Sequence, residues 1–168
     1  GVESGSIKSL NGVAKGQFDN EKVKRVVKMT QDAGIYVLTD FMFGLPDDDI
    51  EDMRASFELC REINPEWINF YVTMPYPGSK LYDEYVAKGE HLPNDWNAYA
   101  QYSYECTPKG TKYLSPTQVL EYRDWAFNAF FEGNSRFFEN VQQKFGEGAV
   151  QEIKAMVKNK LKRKLLET

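Results

Sequence analysis

The chain has 168 residues, 42% of them hydrophobic and 27% charged, and a formal charge of -4. That is the balance of an ordered globular protein and excludes a disordered or low-complexity chain. The acidic balance offers no overall attraction for nucleic acid, no apolar run approaches the roughly 20 residues of a bilayer span, and the first residues lack a signal-peptide pattern, so a cytoplasmic protein without a transmembrane segment is expected.

Residues 21–33 place Val23, Val26, Val27, Thr30 and Ala33 at helical spacing, with Asp19 or Asn20 as cap and Gly34 as stop. Residues 35–43, IYVLTDFMF, read as a strand buried on both faces, which usually means a parallel sheet. Gly44-Leu45-Pro46 breaks it. Asp47 is placed to cap the next helix, whose stripe is Ile50, Met53, Phe57 and Cys60. Asn64-Pro65 ends that helix, residues 67–74 read as a second buried strand, and Pro75-Tyr76-Pro77-Gly78 leads into a helix carrying Leu81, Tyr82, Tyr85 and Val86, closed by Gly89.

From about His91 the pattern changes. Trp96, Tyr99, Tyr102 and Tyr104 lie in a polar segment without a steady period, which reads as a packed irregular connection. Ser115, Pro116 and Gln118 then give a capping box with Pro at the first helical position, and a helix to about Glu132 follows. Two further helical patterns hold Phe137, Phe138, Val141 and Phe145, then Val150, Ile153, Val157, Leu161 and Leu165.

Helices alternating with strands through short turns are the βα pattern, which builds either a doubly wound sheet or a barrel. Ligands of such folds bind at the carboxyl ends of the strands. Three such ends are visible, in GVESGS, FMFGLPDDD and YVTMPYPGSKLY, the first reading as the end of an earlier strand with its loop.

In this order and spacing the three segments resemble the radical S-adenosylmethionine enzymes, within them the group with a cobalamin-binding domain, and the aromatic segment and helices resemble the tail of the anaerobic Mg-protoporphyrin IX monomethyl ester oxidative cyclase type. The resemblance implies an α/β fold: the C-terminal half of a partial (β/α)6 TIM-like barrel with parallel strands in residues 1–90, followed by an aromatic linker and three-helix extension in residues 91–168. It implies that Glu3 and Ser4 lie near the ribose or methionyl part of S-adenosylmethionine, that Phe41 and Gly44 form a wall beside adenine, and that Tyr71 and Val72 place backbone groups there. Each has a plainer reading as turn, cap or core.

The family's 4Fe-4S cluster needs a Cys-x3-Cys-x2-Cys loop, and only Cys60 and Cys106 are present, which by themselves read as buried thiols. The chain is therefore expected to be a fragment, inactive alone, whose full-length parent would use S-adenosylmethionine, the cluster and cobalamin, and whose partner is the missing N-terminal half of the same polypeptide. It names no catalytic residue and no metal ligand, and leaves the substrate unknown. The alternative is a non-catalytic α/β scaffold with a helical partner-binding tail. Asp47, Asp48 and Asp49 read as acids suited to a helix start, His91 as a surface histidine, and Lys158, Lys160, Lys162, Arg163 and Lys164 as a solvated basic run.

Overall fold

A computed structural model describes residues 1–13 and 19–167. Among them are seven α-helices and a parallel two-stranded sheet. A short helix not foreseen in the sequence, α1 (Ile7–Gly12), starts where the Ser6 side chain accepts from the Ser9 N–H. Helix α2 (Asn20–Asp32) is capped by Asp19, whose carboxylate accepts from the Lys22 N–H, and the chain leaves it through Gly34 at φ +76°.

Strand β1 (Leu38–Phe43) starts three residues later than expected. Ile35, Tyr36 and Leu38 are all more than half exposed, so the start of that run is not enclosed as a buried strand would be, although the Tyr36 ring rests on Phe145. Helix α3 (Ile50–Ile63) then returns to strand β2 (Trp67–Val72), which pairs with β1 in parallel from Leu38 opposite Trp67 to Phe43 opposite Val72. Glu3 adds a parallel bridge to Phe41 on the other side of β1. The α/β class and the parallel pairing are as expected. Two strands and a bridge do not make half a barrel.

Burial corrects the expectation that both faces of the strands are covered. It alternates: Thr39, Phe41, Phe43, Ile68, Phe70 and Val72 are buried, while Asp40, Met42, Asn69 and Tyr71 stay partly open to solvent. Side chains in a strand alternate between faces, so one face packs on helices and the other carries a polar row.

The helix side of the sheet is the core. Helix α4 (Lys80–Ala87), capped by Ser79, and the single turn α5 (Trp96–Tyr99) lead to α6 (Pro116–Phe131) and α7 (Ser135–Lys158). The capping box at the start of α6 forms as its residues dictate, with Ser115 accepting from the Gln118 N–H and Gln118 accepting from the Ser115 N–H. The last two helical patterns merge into one element, α7, bent where Gly146 takes φ +82°, but it stops at Lys158, so Leu161 and Leu165 lie beyond the helix they were expected to continue. Phe70 touches Phe41, Phe43, Phe57 and Phe130 edge-on or tilted, and Phe130 continues to Phe131 and Phe137. A single apolar cluster thus joins the sheet to α3, α6 and α7. A short 3-10 turn, Lys164–Leu166, ends the described chain. No helix among the described residues is long and apolar enough to cross a membrane.

Candidate functional site

The parallel pairing brings the three strand-end loops to one end of the sheet. At the first, the Glu3 N–H donates to the Asp40 carbonyl at 3.0 Å and the Glu3 carbonyl accepts from the Met42 N–H at 2.7 Å, which hold Glu3 in the ladder at φ +67°. An L-residue seldom adopts that conformation, and such strain gathers at functional positions. Ser4 is fully buried. Its hydroxyl lies 3.1 Å from that of Ser56 on α3 and accepts from the Ser6 N–H. Gly5 follows because a Cβ there would sit 2.5 Å from the Ala55 carbonyl.

The second loop is organised by Asp48, the middle one of three consecutive acids. One carboxylate oxygen accepts from both the Gly44 and Leu45 N–H groups at 3.0 Å, and the other accepts from the Ser9 hydroxyl at 2.5 Å. Asp48 therefore ties the Gly44-Leu45-Pro46 turn to α1, which springs from the Glu3 loop. Asp49, not Asp47, caps α3, in a capping box with Asp52. Asp47 is exposed. Asp52 also accepts from the Ser6 hydroxyl at 2.6 Å. From the later chain, the Thr111 hydroxyl donates to the Asp48 carbonyl and the Lys112 N–H to that of Pro46. Burial is the main cause that raises the Asp48 carboxyl to about 6, opposed by the Ser9 and backbone donors.

The third loop leaves β2 after Val72. The outer edge of this strand is sealed by side chains. The Gln101 amide accepts from the Val72 N–H and donates to the Val72 carbonyl, both at 3.0 Å, and Arg123 Nε donates to the Phe70 carbonyl at 2.7 Å. Those carbonyls and N–H groups would otherwise be orphaned. Arg123 is buried, and its neighbour Asp124 pairs bidentately with the fully buried Arg163 side chain. Arg163 also donates to the Gln101 and Ser103 carbonyls. The basic run was expected to be solvated. Arg163 departs from that because it reaches four acceptor atoms at once.

Among the six residues suggested by the motifs, Glu3, Gly44 and Tyr71 share the strand-end region with partial access or a loop position. Tyr71 stands on the open face beside Asp40 and Asn69, which are joined by a 2.9 Å hydrogen bond. Burial, then the neighbouring Tyr102, pushes the Tyr71 hydroxyl up from its ordinary range. Phe41 is fully buried against Phe70 on the opposite face, and the backbone groups of Val72 are held by Gln101. At Gly44, with φ +79°, a Cβ would lie 2.6 Å from Val119 Cγ1, so glycine is required for the approach of α6.

Cys60 and Cys106 are buried, and burial raises both thiols. Inert thiols are what such surroundings make. Among the described residues no group of three or more His, Cys, Asp or Glu could hold a metal ion, and His91 is exposed in a loop.

Signals for the missed residues were present. Arg123 interrupts the apolar series Val119, Leu120, Ala126 and Phe130, and a charge among core positions asks for a partner. Gln101 had no such signal, because its role depends on where β2 ends in space.

No family model matches the chain. It is 27% identical over 99 residues to an uncharacterized methyltransferase of Pyrococcus horikoshii, 59% of this chain and 21% of that protein. It is 27% identical over 100 residues to a bacteriochlorophyllide d C-8(2)-methyltransferase of Chlorobaculum tepidum, 59% and 22%. It is 29% identical over 90 residues to the anaerobic magnesium-protoporphyrin IX monomethyl ester cyclase of Rubrivivax gelatinosus, 54% and 16%. The match thus spans about a fifth of the length of these relatives. The resemblance to the radical S-adenosylmethionine group read from three strand-end motifs is matched by relatives that include the anaerobic cyclase type itself.

Proposed function

We propose that this chain is the downstream half of the barrel, with the helical extension, of a radical S-adenosylmethionine enzyme of the methyltransferase or cyclase type. In this reading residues 1–90 belong to the barrel and residues 91–168 to the extension. The observation that carries it is the stitching of the strand-end loops. Asp48, Ser9, Ser56 and Asp52 hold the Glu3 and Gly44 loops together at one end of a parallel sheet, which is where α/β enzymes bind their ligands.

The residues present fit part of a nucleoside-binding wall. Glu3 supplies a carboxylate that accepts from hydroxyl or ammonium groups, and Tyr71 supplies a phenol on the open face. Ser4, Phe41, Gly44 and Val72 support that wall from behind, through the α3 contact, the core, the close approach of α6 and the sealed edge. S-adenosylmethionine, bound beside a reduced cluster, supplies one-electron chemistry at unreactive C–H bonds. The described residues do not fit the cluster itself, having no suitable donor set. Cluster and cobalamin are assigned to the remainder of a longer polypeptide, and cytoplasmic location follows from such a reading.

The test uses a polypeptide that joins this sequence to a Cys-x3-Cys-x2-Cys segment of the same protein. After anaerobic reconstitution it should form 5'-deoxyadenosine from S-adenosylmethionine and reductant, and Glu3→Ala should weaken S-adenosylmethionine binding about tenfold, the loss of one charge-assisted hydrogen bond. Unchanged affinity would remove Glu3 from the site. No 5'-deoxyadenosine would overturn the reading in favour of a non-catalytic scaffold.

A further inference from the structure

The motif resemblance implies that the backbone of Val72 serves adenine, yet its N–H and its carbonyl are both taken by the Gln101 side chain. What stands in their place follows from the orientation of that amide. Its oxygen must face the Val72 N–H, so its NH2 group gives one proton to the Val72 carbonyl and has a second to give. That second proton goes to the Tyr76 hydroxyl, at 3.1 Å. The phenol oxygen is thereby engaged as an acceptor, and its own O–H turns away from Gln101. Among the described residues no acceptor takes that proton.

Tyr76 is fixed from several sides. It lies in the third strand-end loop between Pro75 and Pro77, and a residue that precedes proline is confined to extended backbone. Its N–H donates to the Met74 carbonyl and its carbonyl accepts from the Ser79 N–H, both at 2.9 Å. The ring packs 6.2 Å from that of the buried Tyr99. Gln101 is anchored in turn by Arg163, which donates to its carbonyl. Even so, Tyr76 is 43% exposed and its bond to Gln101 is open to solvent. An oriented, accessible donor at the ligand end of a parallel sheet suits an acceptor atom on a bound molecule.

We propose that Tyr76 is a ligand-binding residue of the strand-end site, whose O–H, turned outward by the Gln101 amide, donates to a ring nitrogen of adenine in place of the Val72 backbone. This rests on the S-adenosylmethionine reading above. The ring nitrogens N1, N3 and N7 of adenine accept, whereas its exocyclic amine donates. A phenol whose oxygen already accepts from Gln101 and whose proton is unused therefore matches a ring nitrogen and not the amine.

The test uses the longer polypeptide that carries the cluster segment, reconstituted anaerobically and titrated calorimetrically without reductant, so that binding is read apart from cleavage. Tyr76→Phe keeps the ring on Tyr99 and removes only the hydroxyl. It should weaken S-adenosylmethionine binding about fivefold, the worth of one neutral hydrogen bond. The same substitution is then measured with three S-adenosylmethionine analogues in which CH replaces N1, N3 or N7. For the analogue that lacks the nitrogen met by Tyr76, Tyr76→Phe should cause no further loss, while for the other two the fivefold loss should remain. Undiminished binding of S-adenosylmethionine by Tyr76→Phe overturns this assignment alone, as does an equal loss with S-adenosylmethionine and all three analogues, which would make the hydroxyl structural. An unsubstituted polypeptide that binds no S-adenosylmethionine overturns the functional reading and this assignment together.

Discussion

The two sides of this sheet are held by different chemistry. At the Glu3 and Gly44 loops, short carboxylates and hydroxyls bridge neighbouring turns: Asp48 to Ser9, Asp52 to Ser6 and Ser4 to Ser56. At the outer edge of β2, long side chains from the later chain do the work: Gln101 and Arg123 on the strand, with Asp124 and Arg163 locking them. Short polar groups fix a loop within hydrogen-bond reach of its own neighbour. Long ones let a segment some sixty positions away close a strand edge, as Arg163 does on the Gln101 carbonyl. Both sides join positions far apart in sequence, 39 to 52 apart in the loop bonds, but the edge side adds a second layer, in which Asp124 and Arg163, its most distant member, hold the residues that hold the strand.

Removing that member should have the largest effect. Arg163→Ala deletes a fully buried guanidinium that donates to Asp124 and to two carbonyls. Breaking a buried pair from one side costs about 3–5 kcal/mol, read as a fall in the urea midpoint. Arg163→Lys should recover little, because an ammonium cannot repeat the bidentate geometry. A loss near that of an exposed pair, under about 1 kcal/mol, would show that the edge is held by Gln101 and Arg123 without the C-terminal lock.

The next effect belongs to the loop side. Gly44→Ala must place a methyl group 2.6 Å from Val119 Cγ1 while keeping φ at +79°. Strain of both kinds costs about 2 kcal/mol. If the clash with Val119 is the larger part, then Gly44→Ala combined with Val119→Ala should be less destabilised than the sum of the single changes by about 1 kcal/mol in a double-mutant cycle. Additivity would place the whole cost in the backbone conformation.

Separation along the chain decided what could be read from the sequence. Helix starts are local, and the Ser115-Gln118 box and the Asp19 cap were legible because each partner lies within three residues. The strands were legible in position but not in environment. Phe41 and Met42 are both apolar, and only the placement of α3 and α6 decides that one is buried and the other half open. At the candidate site, Glu3 and Gly44 were found through their motifs, but Asp48 was hidden among three consecutive acids. Which of them turns back to the loop depends on where Ser9 lies. Arg163 looked like a member of a basic run for the same reason, since its acceptors are contributed by other elements.

Asp48 offers the finest test of the loop side, because its effect changes with pH. Its carboxyl titrates at about 6 in the folded protein against an ordinary value of 3.8. The folded chain therefore holds more protons than the unfolded one between these values, so the contribution of Asp48 to stability falls as pH rises through that window. Above it, the buried charge is a net cost that its donors only partly offset. Asp48→Asn keeps an acceptor for the Gly44 and Leu45 N–H groups and turns its amide toward the Ser9 hydroxyl, which accepts as readily as it donates. The variant should be close to wild type in urea midpoint near pH 4 and more stable by about 1–2 kcal/mol at pH 8, after discounting the full two-unit shift for relaxation and water. A variant equally destabilised at both pH values would mean that the loop needs the charge, and that Asp48 holds it with a strength the neutral amide cannot match.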